Sequence, residues 1–197
     1  TPDFDRVLAT DASAQQIASA QTHTKIEYRI CSAENASFIE SDSTNLISVG
    51  QALHWFEFNQ FYAEVARVAA RDAVIAVWCY NLFSISQEID DVILHYYQNI
   101  VGKFWEIERH YIDEDYRTIP FPFPAIPLSP IEMHSDLNLE QVLGYLQTWS
   151  ATVKASVAMK ENPAKEVEND LKRLWGDPNH TRKAIYRLTV KVGRIEK

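Results

Sequence analysis

Apolar and polar positions along the chain change period several times, and the changes mark its elements. Residues 6–10 form a short apolar run ending at Asp11, and Ser13 with Gln16 has the Ser-x-x-Gln form of a capping box, predicting a helix through about Gln21. Strand-like runs follow at 25–30, 45–49 and 73–78. The last is apolar throughout, the pattern of a strand buried on both faces. Residues 59–70 place Phe61, Val65 and Val68 at helical spacing, the crossover that a parallel sheet requires. Strand and helix thus alternate through Tyr80, which predicts an α/β fold with a doubly wound, mostly parallel sheet.

The period changes after Tyr80. Residues 86–101 carry Ile89, Val92, Ile93, Tyr96 and Ile100 on one helical face, and a second helical stretch continues to about His110. Pro120, Pro122, Pro124, Pro127 and Pro130 then impose an extended connection. Residues 131–135 read as a short strand. Asn138 with Gln141 starts a helix whose inner face is Leu139, Val142, Leu143, Leu146 and Trp149. Asn162–Pro163 starts another, ended by Gly176 and Pro178. Residues 184–192 alternate as a half-exposed strand, expected at an antiparallel C-terminal edge. The organisation expected is a cofactor-binding core over residues 1–81, a helical insertion covering substrate over 82–130, and completion of the core over 131–197.

Composition narrows the partners. With 197 residues, 46% of them hydrophobic, the chain can bury one good core, and a formal net charge of -8 argues against nucleic acid or an anionic membrane as partner. No apolar run approaches the roughly 20 residues that span a bilayer, and the start lacks the form of a signal peptide, so a cytoplasmic location is expected. Cys31 and Cys79 follow apolar runs and read as buried free thiols. His95, His110 and His134 show no metal-ligand spacing, so no metal site is expected.

Candidate chemistry gathers at the strand ends. Asp11 closes the first strand of a βα unit, where a carboxylate either accepts the hydroxyls of a ribose or caps the helix. Residues 31–34 follow the second strand and residues 50–56 the third; ligands of open α/β sheets bind outside such carboxyl ends, so the three turns converge on one crevice. His54 reads as a proton-transfer residue or a packing one. Trp55, Trp78 and Tyr80 read as rings facing the crevice or as core.

The runs TDAS…QIASA, ICSAEN, LISVGQALHWF, FYAEVARV and VIAVWCY, with LNLEQVLGYLQTWSATVKA, LWGDP and LTVKVGRI in the C-terminal part, resemble class I S-adenosylmethionine-dependent methyltransferases. The likeness covers most of the chain and is nearest the small-molecule branch that includes trans-aconitate methyltransferase-like proteins. It implies a Rossmann-like sheet with S-adenosylmethionine as cofactor and a small-molecule substrate. It places Asp11 on the ribose hydroxyls, Ala33 and Glu34 beside the adenine, and Gln51 along the methionine portion. His54 and Trp55 would face the transferred methyl group or shape the acceptor site, and the strand-end positions of Trp78 and Tyr80 add them to the expected substrate-binding residues. A noncatalytic remnant serving as a binding or oligomerisation module is the alternative, and a nicotinamide-dependent dehydrogenase fits Asp11 equally well.

Two departures stand out. The family's first central strand and its Gly-rich loop have no counterpart, since Gly50, Gly102, Gly144, Gly176 and Gly193 lie far apart; and residues 70–73 replace the usual Pro-Gly-Gly. Loss of the first strand would leave unpaired backbone groups in the middle of the sheet, each costing about 1 to 3 kcal/mol when buried. The expected outcomes are a fragment or truncated product, a sheet whose halves close up, or a homodimer filling the slot. A repair should be visible between the strands ending at Asp11 and Gly50, and cofactor binding should be impaired if the chain is complete.

Overall fold

Ser13 starts the first helix as its spacing predicts, its side chain accepting the N–H of Gln16 at 3.4 Å. The computed structural model describes residues 3–197. These divide into two compact units, the first comprising the residues up to Val77 with Pro120–Pro127 and Lys191–Lys197, the second Trp78–Ile119 and Leu128–Val190. The order of elements is that of an α/β fold, and no helix among the described residues is long and apolar enough to cross a membrane.

In the first unit, β1 (Val7–Asp11) pairs in parallel with β2 (Ile26–Ile30), Val7 opposite Ile26 and Asp11 opposite Ile30. Between them, α1 (Ala14–Ala18) is shorter than predicted, because Ser19 folds its N–H and hydroxyl back onto Gln15 and no apolar residue beyond Ile17 extends a buried face. Then come β3 (Thr44–Gly50), α2 (Phe58–Val68) and β4 (Ala69–Tyr80), which crosses into the second unit. Phe61, Val65 and Val68 are buried, as their spacing requires.

The strands form two sheets, β1–β2 and β3–β4–β6–β5, where β5 is Ile131–Leu137 and β6 is Arg182–Arg194. The expected repair is absent among the described residues: no strand lies beside the second edge of β1 or of β3. Burial departs from expectation accordingly. No residue of β1 or β2 is buried, since a two-stranded sheet leaves an edge and much of its surface to solvent. β4 alternates instead of being buried throughout, with Ala73, Ile75, Val77 and Cys79 inside and the residues between them half-buried. Cys31 is half-buried rather than buried, and neither cysteine is in a disulfide.

The proline-rich segment is extended as predicted, and residues 120–127 follow the end of β6. Ile126 donates to Val192 at 2.8 Å, Arg194 donates to Pro124 at 3.1 Å, and Ala125 bridges Gly193. Gly193 permits this approach, since a Cβ there would stand 2.6 Å from the Cβ of Phe123.

In the second unit, the two helical stretches expected over residues 86–101 and on to about His110 are divided into shorter pieces. α3 (Gln87–His95) passes into a π-turn, Tyr96–Ile100, a 3-10 turn, Gly102–Phe104, and a short α4 (Arg109–Asp113). β5 pairs antiparallel with β6, Ile131 opposite Leu188. The edge strand is therefore β5, and β6 lies between β4 and β5 because both its sides are hydrogen-bonded. The capping box of α5 (Leu139–Thr148) is complete, with Asn138 and Gln141 each accepting the other's backbone N–H at 2.9 Å. Trp149 ends that helix instead of extending it, its ψ of 136 turning the chain into α6 (Ser150–Met159). Small and apolar residues surround α6 on all sides, so no one-sided stripe announced it. α7 (Lys165–Trp175) stops at Gly176, whose φ of 79 suits glycine. Ile89, Ile93, Val142, Leu146, Leu171 and Trp175 belong to this unit's core.

Candidate functional site

In the first unit the carboxyl ends of β1 and β2 are joined by the N–H of Cys31, which donates to the carbonyl of Asp11 at 3.0 Å. The Asp11 side chain is exposed and does two things at once. Its Oδ1 accepts the N–H of Ser13 at 2.7 Å, the local turn expected of an Asp before a helix, while Oδ2 has no hydrogen-bond partner among the described residues.

The loop after β2 is tight. Cys31 Sγ lies 2.9 Å from the carbonyl of Ser32 and 3.0 Å from that of Asn35, and Ala33 beside it is half-buried. Burial, with Glu64 and Glu34 nearby, pushes the Cys31 thiol up, so it stays protonated at neutral pH and is no nucleophile. Glu34 accepts the hydroxyl of Ser32 and, through Oε1, the N–H of Glu57 at 3.0 Å. Burial raises its pKa, but those hydrogen bonds outweigh burial and hold the carboxyl below its usual range.

Directly after β3, Gln51 is half-buried with a φ of 53, a left-handed conformation uncommon outside glycine. Leu53–Trp55 then form a 3-10 turn with His54 buried and Trp55 54% exposed, their rings 4.8 Å apart. The bond from Glu57 to Glu34 thus ties this turn's segment to the loop after β2. Trp78 and Tyr80 lie in the second unit, half-buried at the end of β4.

Sequence reading passed over a polar and aromatic cluster in the second unit. Arg109 donates from Nε to the Tyr97 hydroxyl and from Nη2 to Asn81 Oδ1, both at 2.8 Å, with its guanidinium 4.7 Å from the Trp105 ring centroid. Tyr97 donates to Asp113 at 2.6 Å. Tyr186 meets the rings of Tyr80 and Tyr145 edge to face. These residues are spread over more than one hundred positions without a spacing, so no motif could have joined them.

Comparison with known proteins decides the family. A family profile described as "Methyltransferase domain" matches residues 2–77. The solved structure of a candidate type II methyltransferase from Anaeromyxobacter dehalogenans is 33% identical, superposes with a TM-score of 0.88, and is matched over 98% of this chain and 81% of its own. The chain belongs to the class I S-adenosylmethionine-dependent methyltransferases. A candidate methyltransferase of Dictyostelium discoideum is 29% identical over 175 residues, 87% of this chain. A candidate S-adenosylmethionine-dependent methyltransferase of Saccharomyces cerevisiae is 24% identical over 86 residues, 40% of this chain. The chain spans 66% of the length of the first and 30% of the second.

For a methyltransferase of this class the residues present fit the adenosine half of the cofactor. The unspent Oδ2 of Asp11 stands at the strand end where a ribose hydroxyl can donate to it, and the half-buried Ala33 offers an apolar contact for a base. Glu34 has both oxygens engaged and acts as a wall of the loop.

Proposed function

We propose that this methyltransferase transfers a methyl group from S-adenosylmethionine to a small-molecule acceptor bearing a carboxylate or a hydroxyl. The observation that carries the reading is the free Oδ2 of Asp11 beside the closed loop after β2, in a chain of this family. When bound, the cofactor supplies an electrophilic methyl on a sulfonium. The chain's own task is to hold the two reactants in line and keep water out.

Asp11 holds the ribose through Oδ2, Ala33 and the loop braced by Glu34 flank the base, and Gln51 lies along the methionine portion. The buried His54 and the exposed Trp55 shape the acceptor side. A carboxylate acceptor needs no base; a hydroxyl acceptor would give its proton to His54. Incubation with methyl-labelled S-adenosylmethionine and panels of carboxylic acids and alcohols tests this. Label should enter a product, released by mild base if a carboxylate was methylated and retained if a hydroxyl was. No labelled product from either panel contradicts the reading.

A further inference from the structure

The second unit carries an open sheet edge. β5 is the last strand of its sheet, and the backbone groups on its outer side have no hydrogen-bond partner among the described residues. Which residues turn those groups outward follows from β6. Ile185 exchanges both backbone bonds with Ser84, each at 2.9 Å, so its N–H and C=O face away from β5 and those of Ala184, Tyr186 and Leu188 face towards it. Their partners Ser135, Met133 and Ile131 take the ladder bonds to β6. Glu132, His134 and Asp136 therefore point their backbone groups to the open edge.

The side chains of the edge are sorted by face. Ile131 and Met133 share a face with their cross-strand partners Leu188 and Tyr186, which belong to the core or pack against it. Ile131 and Met133 nevertheless remain 44% and 42% exposed, so the apolar face of the sheet runs past the core at this edge. The opposite face carries Glu132, His134 and Asp136, all exposed, beside Arg187 and Lys183 of β6. Glu132 meets Arg187 only at 3.8 Å.

We propose that β5 pairs antiparallel with β5 of a second copy of this chain, about a two-fold axis at Met133. Outward-facing residues must meet outward-facing ones, so the symmetric registers are those centred on single residues of the strand. Centring on Glu132, His134 or Asp136 sets carboxylate directly against carboxylate, which is destabilising. Centring on Met133 or Ser135 sets His134 against a carboxylate of the other copy, to which an imidazole N–H can donate in either charge state. The Ser135 register would bring Asn138 into the ladder opposite Glu132, but the N–H of Asn138 is already spent on Gln141 at 2.9 Å. The Met133 register remains. In it Glu132 faces His134 of the other copy twice over, each pair exchanging backbone bonds, while Met133 meets Met133 and Ile131 meets Ser135. Charge complementarity and the covering of Ile131 and Met133 then act together, and no residue assigned to cofactor or acceptor is involved.

Sedimentation velocity over a concentration series tests the pairing, with circular dichroism to check folding. The native chain should shift from monomer to dimer as concentration rises. His134→Glu sets carboxylates against each other and should weaken dimerisation at least about tenfold, and adding Glu132→His, which exchanges the two residues, should restore it. Cysteine scanning reads the register. Two copies of Met133 in a pair without ladder bonds stand about 4.5 Å apart at Cα, within disulfide reach, so Met133→Cys should crosslink under mild oxidation. Ser135→Cys should not, nor should the native chain with its Cys31 and Cys79. The proposal is overturned if the chain stays monomeric up to about 100 µM. It is equally overturned if folded His134→Glu dimerises as well as the native chain, or if Ser135→Cys crosslinks in preference to Met133→Cys.

Discussion

Oε1 of Glu34 accepts the backbone N–H of Glu57 at 3.0 Å, so the loop after β2 caps the first turn of α2 across 23 residues. Glu57 stands at the N-cap of that helix and makes no side-chain cap of its own, so a carboxylate from elsewhere meets the positive helix end.

Replacing this carboxylate therefore tests the brace. Glu34→Ala should lower stability by about 1 kcal/mol, the usual cost of a lost cap, and Glu34→Gln should lose less because an amide oxygen still accepts the N–H. Urea midpoints of the two variants check the order.

The next brace in the same unit sets a pH dependence. Glu64 accepts the N–H of Ala36 at 2.8 Å and pairs with Arg67, which also donates to the carbonyls of Ile39 at 2.8 Å and Ala36 at 3.0 Å. Arg67 holds the Glu64 carboxyl below its usual range, burial opposes this, and the N–H of Ala36 adds to it. A depressed folded-state pKa stabilises the fold above the ordinary carboxylate value and loses that stabilisation as pH falls through the folded value. The same sign holds for Glu34. Thermal midpoints should accordingly drop on acidification below the ordinary carboxylate range, and Glu64→Gln should flatten that part of the profile. An equally steep profile in the variant would contradict the role of this pair.

Much of the fold was legible because its signals are local. Phe61, Val65 and Val68 mark one face of α2, and the Asn138–Gln141 box fixes the start of α5; both depend only on residues three or four apart. Positions set by long-range partners were not legible. β6 alternates like an edge strand, but β5 pairs outside it, and nothing in residues 184–192 specifies how many neighbours the strand has. The break at Trp149 likewise depends on a single residue's dihedral, within a run that stays apolar on both sides. At the candidate site, Asp11 stood out by its place after a strand, and Glu34 by its place in the next loop. That Glu34 spends its carboxylate on Glu57 could not be read, nor could the bonds of Arg109 to Tyr97 and Asn81, because each joins residues far apart in the chain.

Cofactor binding by the free oxygen of Asp11 is the central claim, and isothermal titration with S-adenosylhomocysteine tests it most directly. The 197-residue chain should give saturable heat, and Asp11→Ala should bind at least about tenfold more weakly, on the order of 1.4 kcal/mol for the lost charge-assisted hydrogen bonds. No heat at millimolar ligand, or unchanged affinity in a folded Asp11→Ala variant, would contradict it.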